Sequence, residues 1–226
     1  MSYLLMLASL CASPEPMKTD SSFASAAERV SSQMQTGTLI FSQGDCLAVK
    51  IFTQSSYTHV AAVVVKNGEP FVYDSIGGHG VRRRSLKAFF KSQSPDVVHL
   101  LYPSKPFSNE RSEQFARYLN GQLGKPYAIK HHLTGKRAKG VHCSEYVTDA
   151  LMSCRMIHAK QPSRVSPGSL ATGILKANLY SPAQRINLKK KIVKPKGRNW
   201  CDQLWIDTKF CTLSCCRQLQ RWFLCR

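Results

Sequence analysis

Gly140-Val141-His142-Cys143-Ser144-Glu145-Tyr146-Val147-Thr148-Asp149-Ala150-Leu151 reads as the entry into an amphipathic helix that carries a cysteine in its first turn. Tyr146, Val147, Ala150 and Leu151 recur at helical spacing and predict a core-facing stripe. The partial positive charge of a helix N-terminus favours thiolate over thiol, so Cys143 stands where a nucleophile belongs. It is also where an ordinary buried cysteine is common, since Cys is among the most often buried residue types. Position alone leaves both readings open.

Upstream of that helix the period changes from helical to alternating. Ser21 to Gln35 has Phe23, Ala26, Val30 and Met34 at helical spacing. It is followed by β-prone runs at Thr38–Phe41, Cys46–Ile51, Thr58–Val65 and Pro70–Asp74. Asn67-Gly68 between the last two is the strongest short hairpin signal, and it predicts that His59 and Asp74 lie on neighbouring antiparallel strands. A strand at Gly80–Arg84, a helix Ser85–Lys91 capped by Ser85, a strand Val97–Tyr102 and a helix Asn109–Asn120 opened by Ser108 follow. Gly124-Lys125-Pro126-Tyr127 is a turn, and Lys130–Lys139 a basic loop that delivers the chain to Cys143. Arg164–Ala171 leads into one last short helix, and the regular pattern ends near Asn187.

Composition bounds the function without choosing it. The 226 residues suffice for one well-cored domain. The net charge of +19, from 32 Lys and Arg against 13 Asp and Glu, predicts a polyanionic partner: anionic lipid, an acidic cell-wall polymer or nucleic acid. The nine cysteines are uneven, with Cys201, Cys211, Cys215, Cys216 and Cys225 crowding the end, and this is not the framework of a disulfide-stapled secreted domain.

The apolar run Tyr3–Ala12 before Ser13-Pro14-Glu15-Pro16 resembles the end of a secretory h-region, but no Lys or Arg precedes it. Leu10 is bulky where lipidation at Cys11 would want a small residue. Residues 1–20 are therefore read as an apolar segment, a candidate signal or anchor; export would put the protein at the cell envelope or membrane, and otherwise it is cytoplasmic. No run approaches the roughly 18–20 apolar residues of a membrane span.

Five segments, taken in order, resemble a known family: Gly37-Thr38-Leu39-Ile40-Phe41 with Gly44-Asp45, Thr58-His59-Val60-Ala61, Val72-Tyr73-Asp74-Ser75, Leu123-Gly124-Lys125-Pro126-Tyr127, and His142-Cys143-Ser144-Glu145-Tyr146-Val147. The order is similar to the permuted papain-like cysteine hydrolases, the YiiX- and YebB-like branch of the NlpC-type superfamily, related in topology to lecithin:retinol acyltransferase-like proteins. The resemblance implies an α+β fold, circularly permuted papain-like, with an antiparallel sheet packed against helices that include the Cys-led one. It implies Cys143 as nucleophile, His59 as general base and Asp74 as the acid orienting the imidazole. Asp74 departs from the Glu associated with this branch, so a shorter acid must sit closer.

Elementary chemistry asks for the same parts. A free thiol is only a few per cent ionised at neutral pH, an imidazole can take its proton, and a carboxylate can fix the imidazole tautomer. The competing readings are a core histidine at position 59 and a turn-opening Asp74 before Ser75-Ile76-Gly77-Gly78. Tyr127, His142 and Ser144 are candidates for substrate or oxyanion contact. His79, His131, His132 and His142 match no zinc spacing, and no cofactor or metal is expected. Glu145 is read as a complement to the helix dipole or a partner for a basic residue.

Residues 21–187 thus form the expected catalytic domain, and 188–226 a basic tail in which Trp200, Trp205, Trp222 and Phe223 are interleaved with Lys, Arg and Cys. That mixture suits an anionic membrane surface better than nucleic acid, with disorder before contact as the alternative. Arg82-Arg83-Arg84 and Lys136-Arg137-Ala138-Lys139 flank the site and either draw an anionic substrate or are solvated faces. The expected function is a thiol-dependent hydrolase of amidase or peptidase type, working through an acyl-enzyme on a small cell-wall peptide or an acylated lipid or amide. A lipid acyltransferase, and a non-catalytic basic module on membrane or nucleic acid, are the alternatives.

Overall fold

The computed structural model describes residues 20–43, 55–93, 97–129, 135, 139–181, 184–188 and 195–224. The N-terminal apolar segment, the strand expected at Cys46–Ile51, and His131 and His132 lie outside the described residues. The elements are α1 (Asp20–Ser31), β1 (Leu39–Gln43), β2 (His59–Lys66), β3 (Glu69–Ile76), β4 (Gly80–Ser85), α2 (Leu86–Gln93) and β5 (Val97–Leu101). They continue with α3 (Asn109–Gly121), α4 (Cys143–Ser153), a 3-10 turn (Pro162–Arg164), α5 (Pro167–Lys176), β6 (Gln184–Asn187) and α6 (Trp200–Leu224).

The strands form one antiparallel sheet in the order β4-β3-β2-β1-β5-β6. The turn predicted between β2 and β3 forms as expected: Asn67 and Gly68 both have positive φ, 52° and 79°, the combination that matches the twist of a two-residue hairpin. Ser108 accepts the Arg111 N–H at the start of α3, and Ser85 accepts the Ala88 N–H at 3.3 Å to start α2.

Strand β2 reads His-Val-Ala-Ala-Val-Val-Val-Lys with no polar alternation, because both faces of the sheet are covered and its first six residues are buried. On one face Leu39, Phe41, Val60, Ala62 and Tyr73 meet Phe115 and Leu119 of α3, Tyr146, Val147 and Leu151 of α4, and Leu170 and Ile174 of α5. On the other, Ile40, Ala61, Val63 and Val72 meet Ala26, Ala27 and Val30 of α1 and Phe89 and Phe90 of α2. The result is an α+β architecture with an antiparallel sheet between two helical layers.

Two elements differ from expectation. β6 is a polar strand with no alternating pattern, formed because the edge of β5 offers unpaired backbone groups for it to complete. The tail is helical from Trp200 to Leu224 rather than irregular. Its start is capped by Asn199, whose side-chain oxygen accepts the Asp202 N–H at 2.8 Å. Cys and Thr carry weak helix propensity and hid that helix from pattern reading.

The segment 124–128 is the strut that seats α4 against the sheet. Val81 donates to the Lys125 carbonyl at 2.8 Å, Gly124 to the Val81 carbonyl at 2.9 Å, and Val141 to the Pro126 carbonyl at 3.0 Å. Ser75 Oγ adds a 2.7 Å bond to the Val141 carbonyl, two residues before Cys143. Gly80 lies under this strut with φ of 69°, where a Cβ would collide with the Lys125 carbonyl. Gly80→Ala should therefore destabilise the fold by about 1–3 kcal/mol, read as a lower urea midpoint at unchanged slope.

Candidate active site

Strand alternation sorts the residues around Asp74. Asp74 is paired with Arg82 across the β3–β4 ladder, and Arg83 with Tyr73. Arg82 and Arg84 thus share the face of Asp74, while Arg83 points to the other face and lies over the Phe71 ring at 5.3 Å. Arg82 Nε donates to Asp74 Oδ1 at 3.2 Å and Arg84 Nη2 donates to Oδ2 at 2.8 Å. Arg84 also stacks over Phe89 at 5.1 Å, and the His59 ring lies against the same phenyl with centroids 6.3 Å apart. Arg82 and Arg84 are thus engaged with Asp74, and the exposed Arg83 lies against Phe71.

Asp74 is 0 % exposed. Burial pushes its carboxyl up, but the hydrogen bond and charge of His59, followed by Arg84 and Arg82, hold it below the usual range, so it stays ionised. Its Oδ2 lies 3.4 Å from His59 Nε2. That contact is longer than a fully formed charge-assisted bond, and among the described residues no other hydrogen-bond partner lies on Nε2. The shorter acid does reach the imidazole, at the far end of its range, and leaves Nδ1 as the nitrogen available to a thiol.

His59 is the first residue of β2, and its strand face is the one covered by α1 and α2. Cys143 belongs to the layer on the opposite face. The two meet at the strand end, where α4 begins. Burial would raise the Cys143 thiol, but the charge of His59, hydrogen bonds from His142 and His59 and the charge of His142 bring it down to about 5. Burial likewise opposes protonation of His59, yet the Cys143 charge, then the Asp74 and Cys143 hydrogen bonds and the Asp74 charge, raise it to about 9. Between those values the pair is a thiolate facing an imidazolium, backed by a carboxylate.

His142 caps α4. Its Nε2–H donates to the Ser163 carbonyl at 2.8 Å, so Nδ1 is the acceptor that takes the Glu145 backbone N–H at 3.3 Å. Burial opposes its charge, while the Cys143 thiolate, the Ser163 carbonyl and Glu145 pull its pKa up. The neutral ring is the form that makes this cap, and the protonated ring, which the raised pKa favours, is the form whose charge and hydrogen bond help lower the Cys143 thiol. Ser144 Oγ donates to the Val165 carbonyl at 2.7 Å, which commits the hydroxyl expected to meet substrate or oxyanion. Glu145 is buried with its carboxylate 3.8 Å from His142 Nε2.

Tyr127 is half-buried and its ring lies 3.9 Å from the position a Cβ on Gly77 would take. Burial and then the Cys143 charge raise its phenol, so it stays neutral beside the thiolate. His79 is exposed in the turn before β4. Among the described residues no group of three His, Cys, Asp or Glu is arranged to hold a metal ion. Two features escaped the sequence reading. One is the role of Arg82 and Arg84 as partners of Asp74, which strand alternation across the β3–β4 turn could have signalled. The other is the support of His142 and Ser144 by the Ser163–Val165 segment, for which no local signal exists.

A sheet carrying a cysteine-led helix, with thiol, imidazole and carboxylate converging at its end, is the arrangement of a papain-like thiol hydrolase. Residues 33–179 match the family model described as a permuted papain-like amidase enzyme, YaeF/YiiX, C92 family, and the chain belongs to that family. It is 23% identical over 169 residues to the uncharacterized protein YiiX of Escherichia coli strain K12, a match covering 73% of this chain and 81% of that protein. The crystal structure of the metalloprotein YiiX from Escherichia coli O157:H7 is similar at 24% identity and a TM-score of 0.47, over 55% of this chain and 68% of that one.

The thiol geometry has a direct readout. Alkylation of Cys143 by iodoacetamide, followed site by site by mass spectrometry, should rise through about pH 5, whereas Cys154, whose thiol burial pushes up, should react only well into the alkaline range. In His59→Ala the onset at Cys143 should move towards the ordinary thiol value of about 8.5. An unchanged onset would separate the two groups.

Proposed function

We propose that this chain is an amide hydrolase that works through Cys143, His59 and Asp74 and an acyl-enzyme intermediate. The observation that carries the reading is the placing of His59 beside Cys143 at the N-terminus of α4, with the fully buried Asp74 3.4 Å behind the imidazole, an arrangement that lowers the thiol and raises the imidazole. Family membership supports the thiol-hydrolase type; the roles of individual residues and the choice of substrate are our reading.

The Cys143 thiolate adds to the substrate carbonyl, and the developing oxyanion is met by the Cys143 backbone N–H, which like all first-turn N–H groups has no intrahelical acceptor. His59 Nδ1–H then donates to the departing amine nitrogen, and the C–N bond breaks to leave a thioester on Cys143. The neutral imidazole next takes a proton from water, which attacks the thioester; collapse breaks the C–S bond to give the carboxylic acid and the Cys143 thiolate, and His59, keeping the proton it took from water, restores the pair. Asp74 is a positioning residue: held by Arg82 and Arg84, it remains a carboxylate throughout and keeps the ring turned so that Nδ1 faces the sulfur. In this reading Tyr127, neutral beside the thiolate, donates a hydrogen bond to bound substrate; its phenol, raised by burial and by the Cys143 charge, supports that role. The substrate class is a cell-wall peptide or an acylated amide or lipid with its amide carbonyl exposed.

Two measurements test this. Cys143→Ala and His59→Ala should abolish hydrolysis in a screen of peptidoglycan peptides and acyl amides, and Asp74→Asn should lower kcat by about 10²- to 10⁴-fold with little change in KM. Wild-type kcat/KM should be bell-shaped, falling below about pH 5 as the thiolate is protonated and above about pH 9 as the imidazolium loses the proton it must give to the leaving amine. Full turnover by Cys143→Ala would defeat the reading.

A further inference from the structure

Among the described residues six large hydrophobic side chains are exposed, and four of them, Trp200, Leu204, Trp205 and Leu219, belong to α6. Trp200 is 75% and Trp205 64% exposed. At the helical advance of 100° per residue these four fall with the exposed Cys201, Cys211 and Cys215 inside an arc of about 140° on one side of α6. No described residue of α6 joins either core. The stripe is therefore not a core face of this domain.

Charge is arranged around that stripe in one sense. Asp202 and Asp207, the acids of α6, fall outside the arc. Asp202 Oδ2 accepts the Arg198 N–H at 2.9 Å and Asp207 Oδ2 accepts from Gln203 Nε2 at 3.3 Å. Lys196, Arg198 and Lys209 are exposed at the start and flank of the helix. The sequence adds Lys189, Lys190, Lys191 and Lys194 before it and Arg217 and Arg221 within it, in a chain of net charge +19. A second copy of the same chain would bring like charge against like. Nucleic acid answers the lysines but leaves a Trp, Leu and Cys stripe in water. No described helix is long and apolar enough to cross a membrane. The opposite side mixes Asp202 and Lys209 with the half-buried Ile206, Phe210 and Leu213, so among the described residues the exposed large apolar side chains of α6 are confined to the stripe. An exposed apolar stripe with aromatic residues and basic flanks is what a helix lying in a lipid headgroup region presents.

We propose that α6 docks lengthwise on an anionic phospholipid surface, with the Trp200, Leu204, Trp205 and Leu219 stripe at the headgroup–acyl boundary and the lysines and arginines on lipid phosphates. The docking is independent of the hydrolase reading, because no group of the Cys143 site takes part in it.

The chain has three tryptophans and all of them, Trp200, Trp205 and Trp222, are in α6, so its intrinsic fluorescence reports on this helix alone. Full-length protein mixed with vesicles of phosphatidylcholine and phosphatidylglycerol should show a blue-shifted emission, quenching by brominated acyl chains and co-sedimentation. Vesicles of phosphatidylcholine alone should bind at least about tenfold more weakly, as should high salt.

Trp200→Ser, Leu204→Ser and Trp205→Ser combined should abolish binding, and the charge reversals Lys196→Glu, Arg198→Glu and Lys209→Glu should do so with the stripe intact and the far-UV helix signal kept. Cys143→Ala should still bind, which separates failure of this proposal from failure of the hydrolase reading. Emission unmoved by anionic vesicles overturns the proposal. So does a blue shift that grows with protein concentration in the absence of lipid, which would mean a second copy, or one produced by single-stranded DNA and not by vesicles.

Discussion

A carboxylate that is 0 % exposed has to be answered by cations, and the packing around Asp74 is arranged to do so. Arg82 and Arg84 come from the next strand, His59 from the previous one, and Phe89 supplies an apolar surface against which both Arg84 and His59 lie. With the two guanidiniums in place Asp74 stays charged, and a charged Asp74 favours a protonated His59. A protonated His59 in turn lowers the Cys143 thiol. The chain of dependence runs from strand pairing to carboxylate, imidazole and sulfur, and removing its first member would leave a charge buried without an answer.

The second constraint is where the layers meet. His59 and Asp74 are on the sheet face covered by α1 and α2, whereas α4 is packed on the other. A thiol in the middle of α4 would be separated from them by the thickness of the sheet. Because His59 opens β2 and Cys143 opens α4, the two ends coincide. The strut from Gly124 to Ala128, bonded to β4 on one side and Val141 on the other, holds them there. The His142 cap and the Ser163–Val165 carbonyls hold the first turn of α4 from behind.

Much of this was legible in local pattern. Asn67-Gly68 requires two positive-φ residues and so predicted both the β2–β3 hairpin and the neighbourhood of His59 and Asp74. Ser85 and Ser108 marked helix starts through the acceptors they provide. Other features were not legible for equally physical reasons. β6 has no apolar alternation, because an edge strand needs only a neighbouring backbone. The helix of the tail rests on a cap at Asn199 and on residues of weak propensity. The arginine triplet reads as one basic patch in one dimension, and only the pleat divides it into two residues on Asp74 and one on Phe71.

What the sequence determined by itself is everything set by neighbours a few residues apart: the strand and helix periods, the hairpin, the caps, and a cysteine at a helix start with the dipole behind it. Whether that cysteine meets a histidine was decided by tertiary structure alone. The contact joins residues 59 and 143 across two layers of one sheet, and no local period encodes which strand end lies beside which helix end. Burial then turns that proximity into chemistry, since charges screened in water hold one another strongly once water is removed.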